Sequence, residues 1–178
     1  MDLRIAKTEK AIKNAYIELR GKKPPEKITV TELCRLASIN KSTFYSHYQD
    51  MFALADSLEE EMVEEILRNI SNEKEYTEEH PEKFVRELCM AFLSQLSLLK
   101  IMFSGKEQSC LGDRLEKGVK ERIFRIYPSY REDEEKNIVL SFFIQGGYHA
   151  YLNNPEVDLE TLVKVIENIS GLMRFLNK

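Results

Sequence analysis

The side chains best suited to chemistry in this sequence lie within one short segment, residues 41–48, which has the sequence KSTFYSHY. The segment combines an amine, hydroxyl groups, phenols and an imidazole, all of which can donate hydrogen bonds to phosphate oxygens or base edges. Serine and threonine are small enough to approach a base edge in the major groove, and lysine adds a positive charge. The segment therefore indicates contact with a polyanion such as nucleic acid.

Helical spacing gathers most of these side chains on one exposed face. If Phe44 points inward, steps of about 100° per residue put Ser42 and Ser46 on the opposite face. Thr43 and Tyr45 flank that face. We therefore expect a short helix whose outer surface is small, hydroxylated and basic.

The preceding residues predict a helix-turn-helix. A capping box runs from Thr29 to Glu32 and begins a helix that is expected to end near Ala37. Residues 38–40 form a three-residue connection, and Asn40 is a good N-cap for the next helix. Two short helices joined in this way, with a small residue near their crossing, are typical of the motif.

The rest of the chain is predicted to be helical, because apolar residues recur at helical spacing and no strand-like alternation of useful length is present. Five prolines and seven glycines interrupt the pattern. Apart from the motif, helices are expected at 3–20, from Asp50 to about Ile70, from Pro81 past Leu99, at 113–127, at 132–152 and at 158–176, with a short element near 105–110.

Charge is distributed unevenly along the chain. Residues 1–48 contain ten Lys and Arg against five Asp and Glu, a net charge of +5, whereas residues 49–178 have a net charge of −9. A basic N-terminal segment on an acidic body suggests that this end of the chain meets a polyanion.

Other classes of protein are disfavoured. Cys34, Cys89 and Cys110 are odd in number and widely spaced, which favours free thiols over disulfides or a metal site. The three histidines are scattered, and a phosphate-binding glycine loop and a nucleophile elbow are both missing from the sequence. We therefore expect a protein that is not an enzyme and has no catalytic residues, metal or cofactor.

The N-terminal residues lack the apolar segment of a signal peptide, and no apolar run reaches the roughly 18 residues of a membrane span. A cytoplasmic protein without membrane contact is expected.

Residues 29–48, TVTELCRLASINKSTFYSHY, resemble the DNA-binding motif of the tetracycline-repressor (TetR/AcrR) family. The similarity lies in the Thr-x-x-Glu start, the small-residue turn and the Phe-Tyr-x-His-Tyr end. The first helix matches the family's T-x-x-x-I-x-x-A pattern at Thr8, Ile12 and Ala15. The resemblance is strong over residues 1–60 and weak beyond them.

The resemblance implies an all-α fold in which a three-helix DNA-binding domain, residues 1–60, is joined by a long fourth helix to a helical dimerisation and ligand domain, residues 61–178. It also implies a homodimer that binds double-stranded DNA at a palindromic operator, represses transcription and is released by a small-molecule effector. By position, the residues facing bases would be Lys41, Ser42 and Thr43, and those facing phosphates would be Thr31, Tyr45 and His47.

Two positions depart from the family pattern. Members usually carry Lys after the acidic cap of the fourth helix, where this chain has Met51 after Asp50, which puts one backbone contact in doubt. Many members have Gly before Thr in the recognition helix, where this chain has Ser42. This difference should alter base preference more than affinity.

The C-terminal domain is predicted to hold a dimer interface and a ligand pocket. The helix at 132–152 is apolar nearly all round, so it should be covered on every side, and the helix at 158–176 carries an apolar stripe. A purely intramolecular core is the alternative to the interface, and simple core packing is the alternative to the pocket. The predicted interface residues are Phe143, Gly147, Tyr151, Ile166, Ile169 and Met173, and the predicted pocket residues are Phe92, Phe103, Phe124, Gln145 and His149.

An alternative function keeps the same fold without specific DNA binding. In that case the chain would be a helical interaction module that acts through a protein partner. Salt-dependent binding to a palindromic duplex would separate the two hypotheses.

Overall fold

A computed structural model describes residues 3–70, 81–103 and 108–171 of the 178-residue chain. These residues form α-helices and contain no β-strand, so the predicted all-α fold class is confirmed. Short 3₁₀ turns occur at Pro25–Lys27 and Pro128–Arg131. The helices are α1 Leu3–Arg20, α2 Val30–Leu36, α3 Lys41–His47, α4 Met51–Arg68, α5 Pro81–Ser94, α6 Leu96–Met102, α7 Gln108–Ile126, α8 Glu134–Asn153 and α9 Leu159–Gly171.

The chain divides into two compact units. The N-terminal unit comprises Met1–Met62 with Ser97–Gln108, and the C-terminal unit comprises Val63–Leu96 with Ser109–Lys178. The boundaries between the units therefore lie within α4, after the first residue of α6 and after the first residue of α7. Among the described helices, none is both long and apolar enough to cross a membrane.

The core of the N-terminal unit is built from the apolar stripes of α1 to α4. Ile12, Leu33, Phe44 and Leu54 are completely buried, one from each of the four helices. Because each of the four helices buries a large apolar side chain completely, close packing holds in place the helices that carry the polar residues of the motif.

An arginine ties the end of α1 to the end of α6 within this unit. The guanidinium of Arg20, which is only 5% exposed, donates a hydrogen bond of 2.6 Å from Nη2 to the carbonyl oxygen of Met102. The last carbonyls of a helix have no partner within the helix, and a cation is favoured there. Arg20 thus caps α6.

Two glycines let α7 approach its neighbours closely in the C-terminal unit. A Cβ atom at Gly118 would lie 2.8 Å from Cδ1 of Leu67. A Cβ atom at Gly112 would lie 2.8 Å from Cδ1 of Tyr148. A larger residue at either position would therefore force the facing side chain, Leu67 or Tyr148, to shift.

A carboxylate on α7 also binds α8. Glu116 accepts a hydrogen bond of 2.6 Å from the Ser141 hydroxyl and one of 2.9 Å from the Gln145 amide, both on α8. It also forms an ion pair of 2.9 Å with Lys120, one turn along α7. These bonds, the Ser141 hydroxyl first, lower the pKa of Glu116 to about 2. Glu116 is therefore ionised at neutral pH and joins the two helices.

The structure differs from the sequence-based expectation at two places. α7 begins at Gln108, so residues 108–110 belong to this helix and not to a separate short element near 105–110. Residues from Pro81 past Leu99 were expected to form a single helix, but α5 ends at Ser94 and α6 begins at Leu96. The amide of Gln95 bonds to the carbonyl of Phe92, which tightens the last turn of α5. Neither a proline nor a glycine lies at this break, so residue types alone do not predict it.

Candidate functional site

The first helix of the motif begins as its capping box predicts. The Thr29 hydroxyl accepts a hydrogen bond of 3.3 Å from the amide of Glu32. The Glu32 carboxylate also pairs with the Lys23 ammonium, and this hydrogen bond is the main reason that the pKa of Glu32 lies below its usual value. The start of α2 is therefore stabilised by the Thr29 cap and by the ion pair between Glu32 and Lys23.

The turn between α2 and α3 has a defined geometry. Ser38 adopts φ 55°, in the left-handed region. The amide of Ile39 bonds to the carbonyl of Cys34 at 3.0 Å, and that of Ser38 bonds to the carbonyl of Arg35 at 3.4 Å. This pair of bonds is a Schellman motif, which satisfies the last carbonyls of α2 and redirects the chain into α3.

Asn40 caps α3 and also orders the first residues of that helix. Its Oδ1 atom accepts three hydrogen bonds, from the amide of Thr43 at 2.7 Å, the hydroxyl of Ser42 at 2.7 Å and the hydroxyl of Thr43 at 2.8 Å. Both hydroxyl protons are therefore directed at Asn40. The lone pairs of the two hydroxyl oxygens remain available to a ligand.

α3 has one buried face and one exposed face. Phe44 is completely buried, whereas Tyr45 beside it is 54% exposed and meets the Phe44 ring edge-on at 5.4 Å. Lys41 and Ser42 are exposed at the start of the helix. The exposed Ser46 hydroxyl donates to the carbonyl of Thr43 at 2.7 Å. The residues predicted to face bases and Tyr45, which is predicted to face phosphates, therefore lie together on α3.

A polar cluster anchors the end of α3 to α1. The Tyr48 hydroxyl lies 3.5 Å from Oε1 of Glu9, which accepts a hydrogen bond of 2.6 Å from Lys13. Lys13 also pairs with Glu61 on α4. The Lys13 hydrogen bond is the main cause that lowers the pKa of Glu9, and the half-buried His47 adds a smaller electrostatic contribution in the same direction. Glu9 and Lys13 thus link α1 to the end of α3 and to α4.

Two further positions were considered for contacts with DNA phosphates, namely Thr31 and the start of α4. Thr31, which the sequence analysis assigned to phosphates, is exposed in the first turn of α2. Asp50 caps α4 by accepting a hydrogen bond of 2.8 Å from the amide of Ala53. Met51 is partly buried, and Phe52 is 83% exposed. The first turn of α4 therefore presents an apolar side chain and no cation.

The C-terminal unit contains a cavity of about 250 Å³. Helices α5, α7, α8 and α9 supply its walls, and apolar side chains line most of it. Of the predicted pocket residues, Phe92 lines the cavity. The structure assigns the others different surroundings: Phe103 is buried in the N-terminal unit, Phe124 packs with Tyr130 and Leu140, Gln145 bonds to Asp113 and Glu116, and His149 is exposed.

Four of the predicted interface residues also line this cavity, namely Phe143, Gly147, Tyr151 and Ile166. Ile169 is 46% exposed on α9, and Met173 lies outside the described residues. The most exposed apolar side chains of α8 are instead Ile138, at 69%, and Phe142, at 71%. Because α8 is apolar nearly all round, its sequence does not show which faces turn inward, and Phe142 could not be distinguished from Phe143.

Three polar side chains in the cavity wall were not among the predicted pocket residues. They are Cys89 on α5 together with Tyr148 and Tyr151 on α8. Burial raises the pKa of Cys89 to about 11 and that of Tyr148 to about 12, and it also raises the pKa of Tyr151. All three groups are therefore neutral at pH 7.

Comparison with family models and with curated proteins finds no match. Solved structures do match. A TetR/AcrR-family regulator from Aquifex aeolicus VF5 is 17% identical, with a TM-score of 0.61 over 93% of this chain and 99% of that one. A TetR regulator from Streptococcus agalactiae 2603V is 25% identical, with a TM-score of 0.60 over 94% of this chain and 95% of that one.

A third similar structure is a TetR from Acinetobacter baumannii AYE in complex with minocycline. It is 15% identical, with a TM-score of 0.50 over 98% of this chain and 94% of that one. The similarity extends over nearly the whole chain in all three comparisons, well beyond the residues 1–60 in which the sequence resemblance is strong. In its fold and in the residues of its helix-turn-helix, the chain is similar to transcriptional regulators of the TetR/AcrR family.

Proposed function

We propose that this chain is a transcriptional repressor that binds a palindromic DNA operator as a homodimer and is released by a small molecule. One observation carries the proposal: α3 is fixed by a fully buried Phe44 and an Asn40 cap, so Lys41 and Ser42 are displayed at its exposed start. A rigid helix with short polar and basic groups on its outer side suits the major groove.

The roles of the individual side chains follow from their positions on the motif. We assign base contacts to Lys41, Ser42 and Thr43, at the start of α3, because recognition helices contact base edges with their N-terminal residues. Contacts to the phosphate backbone are assigned to Thr31, Tyr45 and His47. These groups would fix the register of the protein on the duplex without carrying sequence information.

Dimerisation is supported by the apolar side chains that α8 and α9 leave uncovered. Ile138, Phe142, Val165 and Ile169 are between 46% and 71% exposed. A second copy of the chain would cover them, and a dimer provides the two matched helix-turn-helix motifs that a palindrome requires. These exposed side chains form a different surface from the four predicted interface residues that line the cavity.

Release by a small molecule is supported by the cavity in the C-terminal unit. A ligand that binds more tightly to a form of the protein unsuited to DNA would shift the population toward that form. The similar protein from Acinetobacter baumannii is a precedent for a small-molecule complex on this fold.

Sequencing of genomic DNA fragments captured by the purified protein tests this function. We expect enrichment of a palindromic sequence whose half-sites are about one helical turn apart. The double variant Ser42→Ala/Thr43→Ala is the control, and it should enrich a different or weaker consensus. Capture of fragments without a shared sequence by the wild-type protein would contradict the proposal.

One observation favours the alternative, an interaction module without specific DNA binding. The first turn of α4 presents Phe52, 83% exposed, where an apolar side chain could contact another protein. Under this hypothesis Phe52→Ser would abolish capture of a protein partner and leave DNA binding absent in both forms.

A further inference from the structure

We infer that the cavity of the C-terminal unit binds an elongated, uncharged, predominantly apolar molecule, such as a medium-length alkyl chain with a neutral polar end. The binding itself is independent of the proposed DNA-binding function. Only the further step, in which this occupant controls DNA binding, rests on that function.

The shape of the cavity supports an elongated occupant. Its lining follows one face of α8 from Lys136 through Leu140, Phe143 and Gly147 to Tyr151, at intervals of three to four residues. Fifteen residues of α-helix span about 22 Å. A volume of about 250 Å³ distributed along several helical turns describes a narrow space rather than a round one.

The size of the cavity exceeds what a single small ring requires. An engineered apolar cavity of roughly 150 Å³ holds benzene and stays dry when empty. The present cavity, at about 250 Å³, is larger than that and similarly apolar. A molecule with about ten carbon atoms is the matching size.

The distribution of charge excludes an ionic occupant. Among the described residues that line the cavity, charged groups lie only at the start of α8, at Asp133, Glu135 and Lys136. The Asp133 carboxylate accepts the Lys136 amide at 3.0 Å, and the Lys136 ammonium lies 4.0 Å from the centre of the Tyr130 ring. Asp133 and Lys136 already have partners and Glu135 is exposed to solvent, so a ligand ion in the apolar part would be buried without a partner, at high cost.

The polar groups deeper in the cavity are neutral. Cys89, Tyr148 and Tyr151 keep their protons at pH 7, because burial raises the pKa of each. A phenol donates or accepts a hydrogen bond without requiring a counter-ion. The Phe92 ring packs edge-on against Tyr148 and Tyr151, at 6.4 and 5.4 Å, so the three rings form an aromatic part of the cavity wall.

The preference for a neutral head group is tested with three probes that share one alkyl chain. Decan-1-ol, decanoate and decylammonium are titrated against the protein with bound Nile red, and displacement is followed by fluorescence. We expect decan-1-ol to displace the dye at a concentration at least tenfold lower than either ion. Equal or better displacement by an ion would overturn the inference about charge.

The elongated shape is tested with a series of alcohols from hexan-1-ol to decan-1-ol. Each added methylene should tighten binding about threefold to fourfold, which is the value expected for its complete burial. An affinity that stops rising at six carbons would indicate a compact cavity and would overturn the inference about shape.

Two adjacent glycines locate the binding site. Gly147 lines the cavity, where an added Cβ would make ordinary contact with Ile166 at 3.7 Å, whereas an added Cβ at Gly146 meets open space. Gly147→Leu should therefore fill the cavity and weaken decan-1-ol binding at least tenfold. The matched control Gly146→Leu should change it less than twofold.

A second filling variant, Cys89→Leu, keeps the test decisive if Gly147→Leu does not fold. Helix content measured by circular dichroism identifies the folded variants. Unchanged affinity in a folded cavity-filling variant, or an equal loss in Gly146→Leu, would place the bound alcohol elsewhere and overturn the inference. Because no step uses DNA, these results are independent of the proposed function.

Discussion

At the scale of single residues, Asn40 determines how its neighbours can bind a ligand. Its side-chain oxygen accepts the hydroxyl protons of Ser42 and Thr43, so these oxygens offer lone pairs rather than protons. In the major groove the complementary donors are the amino groups of cytosine and adenine. If α3 enters the major groove as proposed, its cap would therefore also bias the base preference.

The first prediction concerns this preference. In a selection from random duplexes, wild-type protein should favour cytosine or adenine at the positions that face Ser42 and Thr43. Ser42→Ala and Thr43→Ala should each lose one of these preferences, at about 1–3 kcal/mol per lost contact. An identical consensus for wild type and both variants would remove the two residues from base recognition.

The second prediction distinguishes residues that position the protein on DNA through neutral hydrogen bonds from residues that contribute charge. Tyr45 is an exposed neutral donor, so Tyr45→Phe should weaken operator and scrambled DNA about equally and leave the salt dependence unchanged. Lys41→Ala should reduce the salt slope by about one unit if the ammonium meets a phosphate. Binding isotherms at several salt concentrations measure both effects. If Tyr45→Phe weakened binding to the operator but not to scrambled DNA, Tyr45 would contact bases and not phosphates.

Residue-scale features were predictable where they depend on helical geometry. Once Phe44 was taken to point inward, a step of 100° was enough to predict that Ser42 and Ser46 are exposed. The cap by Asn40 was also predictable from its residue type. The convergence of three donors on one oxygen was not, since it depends on the rotamers of three side chains.

At the scale of helices, the boundaries follow local signals and the packing faces do not. Caps at Thr29 and Asn40 mark helix starts that the sequence shows directly, and α8 begins within two residues of its predicted start at residue 132. The break at Gln95 has no such signal. α8 is apolar all round, so its pattern cannot tell which face the chain itself covers. Both the break at Gln95 and the covered face of α8 depend on tertiary packing.

The third prediction concerns the contact between α7 and α8. Because the pKa of Glu116 falls from 4.5 to about 2 on folding, the folded state binds fewer protons than the unfolded state between these pH values. The stabilisation is complete above about pH 5 and is lost as the pH falls toward 2.

Glu116→Gln should therefore lower the free energy of unfolding at pH 7 by on the order of 1–2 kcal/mol. The difference from wild type should shrink as the pH is lowered toward 2. Chemical denaturation across this range measures it. A difference that is independent of pH would mean that the carboxylate charge does not contribute.

At the scale of the whole molecule, the exposed apolar side chains of α8 and α9 lead to the fourth prediction. Phe142→Asp places a charge on an exposed side chain and should give a folded monomer of about half the wild-type mass. Phe143→Asp places a charge in the cavity wall and should lower stability by about 2 kcal/mol or more. Sedimentation velocity and thermal unfolding separate the two results. A Phe142→Asp protein that remains a dimer at micromolar concentration would contradict this assignment of the interface.

The central claim is specific recognition of DNA by the helix-turn-helix, and a titration of two duplexes tests it most directly. The enriched operator and a scrambled duplex of equal length are titrated with the protein at several salt concentrations. We expect two chains per operator, an affinity at least about a thousandfold higher for the operator, and a linear fall of log affinity with log salt. Equal affinity for the two duplexes, or no binding to either, would contradict the claim.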